Sequence, residues 1–354
     1  MNRKLRVMVL TNEEFIDSAP GQKDAIRILA QQDFIDSVEF VSPSLSKDSE
    51  ENFRTVVSAL ENSHFDVLMI WSPKKFPETR NQFEYLIQKI KGRPIYYWEG
   101  DAWTRSGIKP FAEQSKWWAM ESQIIFSVVK EPHTTMFHSV SHAKIVFIPQ
   151  TYCHIQFGRQ EASEPPLLAD SKSVVMIGNQ SAKIPFIYGT PGSSARFLLG
   201  TSLKIRLGRD FHLYGNRWPI GFSAGPMEYA QQAKLIRNFS LSANWDNFVH
   251  HESFVSDRLP ISLLAGRVHI TNSHPGINYY GGEDVGLIRV TGLREMHSKI
   301  DELRELDPLM LSQMGLTAHN WAKHRFSHRE AARFMFSCIS SDIPPLQIQP
   351  WTSL

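Results

Sequence analysis

Short apolar segments alternate with longer stretches of mixed polarity along the whole chain. Each apolar segment has the length of a buried strand, and the stretches between them are long enough for helices. This alternation is typical of βα units that build a parallel sheet. The predicted strands are 5–11, 65–71, 94–98, 124–129 and 145–149, followed by 174–177, 211–214, 239–243, 268–271 and 287–290.

A break in this rhythm separates the two sets of strands. The segment 162–171 contains Pro165 and Pro166, and paired prolines continue neither a helix nor a central strand. We therefore predict one Rossmann-like domain over 1–161, a linker over 162–171 and a second Rossmann-like domain over 172–322. The stretch 302–339 has the amphipathic pattern of helices.

The composition is that of an ordinary globular protein. Of its 354 residues, 42% are hydrophobic. The net charge of +2 is too small for a protein whose main function is binding nucleic acid. The longest apolar runs fall short of the ~18 residues that span a bilayer. Cys153 and Cys338 have neither zinc-site nor disulfide spacing. We expect a cytoplasmic protein, monomeric or dimeric, without a membrane span.

The turn after the first predicted strand argues against two common nucleotide sites. A nicotinamide cofactor calls for GxGxxG at this turn, which instead contains Asn12, Glu13 and Glu14. The chain also lacks the GxxxxGK[ST] loop of P-loop proteins. The dehydrogenase and P-loop hypotheses are therefore disfavoured.

The second half carries a local excess of positive charge. Residues 172–237 include nine Lys or Arg and only two acids, which suits an anionic ligand such as a diphosphate. Here the strand 174–177 ends at Gly178, and Arg196 opens a later apolar segment. A glycine lets a phosphate approach the backbone, and an arginine near a helix start adds charge to the amide donors. A turn glycine with a solvated arginine is the alternative.

The segment after the third strand of this half carries the most specific pattern. Asp257 and Arg258 come just before Pro260, which is allowed in the first turn of a helix, so both are expected at a helix N-terminus. Together with Ala265-Gly266 and the preceding Leu-Ser-Ala-Asn of 241–244, this pattern resembles the nucleotide-sugar half of GT-B glycosyltransferases. It is most similar to the CgeB-like group of the glycosyl-transferase group 1 clan.

The carboxyl end extends this resemblance. The sequence His-Arg-Phe-Ser-His-Arg of 324–329 is similar to the His-Thr-Tyr-x-x-Arg pattern of that group, with two changes. The similarity thus covers most of 173–337. It implies an α/β protein of GT-B fold, in which two Rossmann-like, doubly wound parallel-sheet domains face each other across a cleft. It also implies that 323–354 returns to the first domain.

The resemblance further implies a glycosyltransferase whose donor, a nucleotide sugar and most often a UDP-sugar, binds the second domain. The acceptor is expected on the first domain and is a small molecule, a glycan or a modified nucleic acid. No cofactor is required, and a divalent metal, if one takes part, accompanies the diphosphate. The residues assigned to the donor are Gly178, Asn179, Arg196, Tyr214, Gly215, Asn244, Glu252, Asp257 and Arg258.

One position departs from the family pattern. The family commonly has a glutamate three residues after the arginine, often as a ribose ligand, and this chain has Ile261. Either Glu252 replaces that acid or the donor is held differently. The pair of glutamates found in the retaining enzymes of the wider group is likewise not intact.

In the first half, the segment 95–101 places two acids directly after a buried strand. Its sequence, Ile-Tyr-Tyr-Trp-Glu-Gly-Asp, is similar in layout to the acceptor side of bacteriophage DNA β-glucosyltransferases. Asp101 matches their catalytic base, a carboxylate that takes the acceptor proton, and Glu99 is the second candidate. Alternation along an extended chain predicts both on the same side. A loop aspartate that caps the next helix is the alternative for Asp101.

Aromatic residues are concentrated in the same region, since five of the nine tryptophans lie between Trp71 and Trp118. Trp103 and Trp117 fall outside the predicted strands and are candidate acceptor contacts, because an aromatic face can stack on a sugar or a base. Glu13, in the turn after the first predicted strand, is a third candidate acceptor contact. Core packing is the alternative for both tryptophans.

Two other functions fit the same architecture. A two-domain nucleotide-sugar epimerase would use acids and histidines without a separate acceptor. A binding protein that has lost catalysis would account for Ile261.

Overall fold

The computed structural model describes residues 4–11, 20–44, 46, 48–73, 75–103, 110–170, 172–180 and 190–340. These residues form two compact units. The first unit comprises the chain up to Pro149 together with the stretch that starts at His328, and the second comprises Gln150–Ser327.

The first unit is built on six parallel strands in the order β2-β1-β3-β4-β5-β6. Helix α12, the last one in the described part of the chain, packs against α1 in this unit. The strands are β1 (Arg6–Leu10), β2 (Ser37–Val41), β3 (Val67–Trp71), β4 (Ile95–Glu99), β5 (Ile124–Ser127) and β6 (Lys144–Phe147). The helices are α1 (Pro20–Gln31), α2 (Ser49–Asn62), α3 (Arg80–Ile90), α4 (Glu113–Glu121), α5 (His133–His138) and α12 (His328–Ile339).

Burial explains which strands of this sheet are central. Every residue of β3 and β4 is buried, as expected for strands covered on both faces. Strand β2 lies at the edge of the sheet and has an alternating pattern of exposure. The core between sheet and helices contains Leu68, Tyr97 and Trp118.

The second unit is built on five parallel strands in the order β11-β10-β9-β7-β8. Its strands are β7 (Val174–Ile177), β8 (Phe211–Tyr214), β9 (Leu241–Ala243), β10 (Val268–Asn272) and β11 (Leu287–Val290). Its helices are α6 (Gly158–Ala162), α7 (Ser193–Leu207), α8 (Gln232–Ile236), α9 (Arg258–Leu264), α10 (Leu293–Arg304) and α11 (Pro308–Lys323). The core contains Met176, Leu199 and Ile270.

The strand order of each unit reverses at one point. In the first unit β1 lies between β2 and β3, and in the second unit β7 lies between β8 and β9. Ligands of open parallel sheets bind at such a reversal, outside the carboxyl ends of the strands. The ends of β7 and β9 are therefore the first place to look for a site in the second unit.

The described part of the segment predicted as a linker, 162–170, is held within the second unit by the half-buried Arg237 and the buried Arg267. Arg237 donates hydrogen bonds to the backbone of Gln160 and Ser163, and Arg267 donates to the carbonyl oxygen of Pro166. The amide of Leu168 donates to the Ser312 hydroxyl. These bonds hold the segment in the second unit.

Candidate functional site

Two guanidinium groups meet at Gly178, which directly follows β7. Arg258 donates from Nε to the carbonyl oxygen of Ile177 over 2.7 Å. A Cβ atom placed on Gly178 would lie 3.2 Å from Arg258 Nε and 3.7 Å from Arg196 Nη1. The missing side chain thus leaves space beside both cations, at the strand reversal of the second unit.

Arg196 is held rigidly in the first turn of α7. It is 1% exposed, and its guanidinium donates to the carbonyl oxygens of Trp245 (2.7 Å) and Asn179 (3.3 Å) and to Asn244 Oδ1 (3.3 Å). These bonds use three of the five N–H groups of a guanidinium. Burial, and then the charge of Arg258, lower the pKa of Arg196 to about 9, against the opposing effect of Asp246 and Asp257. Arg196 therefore carries its charge at neutral pH.

Arg258 is the more accessible member of the pair. It begins α9, as the sequence predicted, with Asp257 at the N-cap position. Its side chain is 26% exposed, and its Nη1 lies 3.7 Å from Asp257 Oδ1. Ile261, at the usual glutamate position of the family, is completely buried and packs in the interior. Glu252 is half-buried, and its Cγ would lie 3.0 Å from a Cβ atom on Gly276, so its role as a replacement stays a prediction.

The turn after β8 lies beside Gly178, as its assignment to the donor requires. The amide of Gly178 donates to the carbonyl oxygen of Tyr214 over 2.9 Å, and Asn179 Oδ1 accepts from the amide of Asn216 over 2.7 Å. Gly215 has a φ of +130°. A Cβ atom on Gly215 would lie only 2.3 Å from the Gly178 carbonyl oxygen, so only glycine allows the two turns to approach so closely. Gly178, Asn179, Tyr214 and Gly215 are therefore neighbours.

Asp246 belongs to this cluster, although sequence reasoning did not single it out. Its Oδ1 accepts from Asn244 Nδ2 (3.0 Å) and Ser256 Oγ (3.1 Å), and its Oδ2 lies 3.7 Å from His274 Nε2. Burial acts to raise the pKa of Asp246, but the interaction with His274 and the charge of Arg196 outweigh it and lower the pKa below its ordinary value. The available signal was the presence of polar residues just after two adjacent strands, β9 and β10.

In the first unit, Glu99 is a buried acid with several hydrogen-bond partners. It ends β4 and is 1% exposed. Its Oε1 accepts from the amide of Asp101 (2.8 Å) and from Ser72 Oγ (3.3 Å), and its Oε2 accepts from the hydroxyls of Tyr97 and Ser115. Both carboxylate oxygens are engaged in the turn after β4, and the assignment of Glu99 as the second candidate base stays a prediction.

Asp101 is exposed, whereas Glu99 is buried. Strand β4 ends at Glu99 and the chain bends at Asp101, so the alternation expected for an extended chain does not continue to Asp101, and the relative direction of the two acids stays a prediction. Helix α4 has its N-cap at Ala112, so Asp101 does not cap that helix. Its assignment as a base stays a prediction.

The two candidate acceptor tryptophans lie in or against the core. Trp103 is 4% exposed and stacks on Phe111, with ring centroids 4.5 Å apart, and His133 covers it at 5.1 Å. Trp117 is half-buried and packs against Phe83. Both rings thus pack in or against the core, and their assignment as acceptor contacts stays a prediction. Glu13 lies outside the described residues.

The described residues contain neither a metal-type cluster of side chains nor a membrane-spanning helix. Within 4–340, apart from the gaps given above, no three His, Cys, Asp or Glu side chains come together as a metal site. In the same part of the chain, no helix has the length and apolar character that crossing a membrane requires.

Comparison with known proteins identifies the fold. No family model matches the sequence, and no curated protein is similar enough to match it. Among solved structures, the chain is similar to HepE from Anabaena, crystallised with UDP and glucose, with a TM-score of 0.59 and 13% identity over 95% of this chain and 100% of that one.

Two further solved structures are similar over nearly the whole chain. An alpha-glucosyltransferase crystallised with UDP and a 13-mer DNA containing an HMU base has a TM-score of 0.64 and 10% identity, over 96% of this chain and 99% of that one. A candidate UDP-N-acetylglucosamine 2-epimerase from Listeria monocytogenes has a TM-score of 0.55 and 11% identity, over 99% and 100%. The chain therefore has the GT-B fold, and the resemblance inferred from its sequence is confirmed at the level of fold.

Proposed function

We propose that this protein is a glycosyltransferase that takes its sugar from a nucleotide-diphosphate donor. The observation that carries the proposal is the convergence of Arg196 and Arg258 on Gly178 at the strand reversal of the second unit. A buried arginine next to a second arginine is electrostatically unfavourable, and such arrangements occur where an anion is bound. Hydrogen bonds from a guanidinium to a phosphate are among the strongest in proteins.

The donor proposal assigns a different task to each arginine. Arg196 is immobilised by its three protein bonds, so its remaining N–H groups have a fixed direction. Arg258 donates one hydrogen bond to the backbone, from Nε to Ile177, and its side chain is partly exposed, so it can adjust to the ligand. In sugar transfer, negative charge develops on the departing diphosphate, and fixed cations stabilise it. The remaining candidates of the second unit, Asn244, Glu252 and Asp257, are assigned to the same donor.

For the chemical step, we assign Asp101 of the first unit as the base that removes the acceptor proton. Its exposure and its place at the carboxyl end of β4 support this assignment. Direct attack of the deprotonated hydroxyl on the anomeric carbon forms the new glycosidic bond and breaks the bond to the diphosphate. This displacement inverts the anomeric configuration.

UDP is the nucleotide we propose first, because similar structures were crystallised with UDP. Small molecules, glycans and modified nucleic acids all remain acceptor classes to test. The likeness to an enzyme crystallised with modified DNA supports keeping nucleic acids among them.

Binding of UDP by calorimetry tests the proposal directly. Wild-type protein should bind UDP, and NAD should neither bind comparably nor compete. Arg258→Gln should weaken UDP binding by about 10- to 100-fold, the equivalent of ~1.5–3 kcal/mol for hydrogen bonds to a charged group. Its thermal stability should stay close to that of the wild type because the side chain is partly exposed. Absence of binding by any nucleoside diphosphate, or equal binding of NAD, would overturn the proposal.

A nucleotide-sugar epimerase is the second candidate, since the candidate epimerase from Listeria has the same fold. An epimerase converts the sugar of its donor without any acceptor. Analysis of UDP-sugar incubations by NMR separates the two functions. A changed sugar that is still attached to UDP indicates epimerisation, whereas free UDP together with a glycosylated acceptor indicates transfer.

A further inference from the structure

Asp246 reaches Arg196 through the side chain of Asn244. The carboxylate accepts a hydrogen bond from Asn244 Nδ2 over 3.0 Å, and Asn244 Oδ1 accepts one from Arg196 Nη2 over 3.3 Å. All three side chains are at most 2% exposed. They form a continuous, buried chain of hydrogen bonds from the loop after β9 to the first turn of α7.

The direction of each bond in this chain is determined by chemistry. An ionised carboxylate only accepts hydrogen bonds, and a guanidinium only donates them. An amide between the two must turn its nitrogen toward Asp246 and its oxygen toward Arg196. If the carboxylate lost its charge, the amide could rotate by half a turn and present a donor to the guanidinium, which has no acceptor.

Further contacts of its backbone and side chain keep Asp246 in place. Its backbone amide donates to Asn272 Oδ1 at the end of β10 over 2.7 Å, and Ser256 Oγ donates to Oδ1. Its backbone carbonyl lies against Gly192, at the start of α7, where a Cβ atom would come within 1.9 Å. Asp246 is therefore anchored to three elements around the arginine.

We propose that Asp246 is a positioning residue, which holds the guanidinium of Arg196 in the orientation that binds the diphosphate. This inference rests on the proposed function, because it assigns a binding role to Arg196. It adds that donor affinity depends on a buried acid that sets the direction of an arginine.

The sign of the effect distinguishes positioning from simple electrostatics. A negative charge near the site repels a diphosphate, so if Asp246 acted on the ligand only through its charge, its removal would tighten UDP binding. If Asp246 positions Arg196, its removal weakens binding although the repulsion is relieved. Asp246 also raises the pKa of Arg196, so binding is measured at pH 6, well below that pKa of about 9, to keep the arginine charged.

The experiment measures UDP binding by calorimetry for the wild type, Asp246→Asn, Arg196→Ala and the double variant. Asp246→Asn keeps the shape and removes the charge, and we expect affinity to fall about tenfold or more, ~1.4 kcal/mol. In the Arg196→Ala background the same change should have little effect, because interacting residues are not additive. Ser240→Ala is the matched control: it removes a buried hydroxyl at the other end of β9, which bonds to Asp170, and should leave affinity within about threefold of the wild type. Unchanged or tighter binding by Asp246→Asn overturns the inference.

A second variant and a second measurement test the inference if Asp246→Asn does not fold or if the wild type binds no nucleotide. If Asp246→Asn does not fold, Asn244→Ala interrupts the same chain and should produce a similar loss, and an unchanged affinity overturns the inference. The NMR signal of the Arg196 Nε–H, assigned by its absence in Arg196→Lys, reports the arginine without any ligand. It should shift or broaden in Asp246→Asn or Asn244→Ala. If wild-type protein binds no nucleotide, the proposed function fails, and an unchanged Nε–H signal then also overturns the positioning role.

Discussion

His269 is a histidine whose surroundings prevent it from being charged at neutral pH. It lies on β10 and is 1% exposed, and its Nδ1 is paired with Ser242 Oγ over 3.2 Å. Ser242 is in turn paired with Ser262 of α9 over 2.8 Å. Burial, and to a lesser extent the charge of Arg258, lower the pKa of His269 from 6.5 to about 4, against the opposing charge of Asp246.

This low pKa predicts a loss of stability in mild acid. Between pH 6.5 and 4 the histidine binds a proton in the unfolded chain but not in the folded one. The free energy of unfolding should therefore fall as the pH decreases through this window, by up to ~3 kcal/mol from this group. Urea unfolding at several pH values measures the slope, which should be smaller in His269→Asn than in the wild type. An equal slope in the two proteins would assign the acid sensitivity to other groups.

Residues that recur in local motifs could be assigned from sequence, and residues that act through the fold could not. Arg258 was placed at a helix start because Pro260, two residues later, is allowed in the first turn of a helix. Asp246 has no such motif, because its partners Ser256 and His274 come from segments that only the folded sheet brings together. Trp103 shows a different limit of sequence reasoning. It lies outside the predicted strands, but stacking on Phe111 packs it into the core.

At the scale of the elements, apolar runs predicted the buried strands well. Strands β7, β8 and β11 have the predicted bounds, and the other predicted strands differ by one or two residues at their ends. The prediction omitted β2, which contains Glu39 and alternates in exposure because it is the edge strand. An edge strand carries little of the continuous apolar signal on which the prediction depended.

The junction of α7 with the loop after β9 depends on the absence of a side chain at Gly192. A Cβ atom at this N-cap would lie 1.9 Å from the carbonyl oxygen of Asp246, and backbone cannot give way as a flexible side chain can. Gly192→Ala should therefore lower the free energy of unfolding by about 1–3 kcal/mol, and it should weaken UDP binding because it displaces Arg196. Gly292, the N-cap of α10, has open space at the same position and is the matched control.

These two glycine variants are compared by urea unfolding and calorimetry. Gly292→Ala should cost less than about 1 kcal/mol, since it changes only the preference of a cap position. Equal effects of the two substitutions would mean that the close approach at Gly192 does not hold α7 in place.

At the scale of the whole chain, the path of the segment 162–170 within the second unit depends on Arg267. This arginine is 1% exposed and donates to the carbonyl oxygens of Phe239, Gly266, Pro166 and Arg237. Burial, and then the charge of Arg237, lower its pKa to about 10, so the charge is retained at neutral pH. Paired prolines suggested a linker from the sequence, but bonds from distant arginines hold the segment on the second unit, and such bonds leave no local signal.

Arg267→Lys should therefore destabilise the protein although it preserves the charge. A lysine has one nitrogen and cannot reach four carbonyl groups in different directions, so several buried acceptors lose their partner at ~1–3 kcal/mol each. The free energy of unfolding, measured in urea, should fall by about 3 kcal/mol or more. Arg209→Lys, at an exposed position, is the control and should stay within ~0.5 kcal/mol of the wild type.

The two acids of the first unit should differ in what their replacement changes. Asp101 should affect the rate of sugar transfer, and Glu99 should affect the stability of the fold. Asp101→Asn should lower the rate of transfer by about 10²–10⁴, because it removes the proposed base, while UDP affinity and thermal stability stay at wild-type values. Glu99→Gln should lower the melting temperature, because one oxygen that accepts from buried donors becomes a donor itself. It should leave UDP affinity unchanged, since the arginines belong to the second unit.

Both variants are assayed with a UDP-sugar and the acceptor that a screen of small molecules, glycans and modified nucleic acids identifies. The anomeric configuration of the product is determined by NMR, and inversion is expected because a single displacement at the anomeric carbon leaves the new bond on the opposite face. A product of retained configuration, or an Asp101→Asn protein with wild-type activity, would remove Asp101 from the role of base. A stable Glu99→Gln protein that binds UDP but transfers no sugar would instead move that role to Glu99, despite its engaged oxygens.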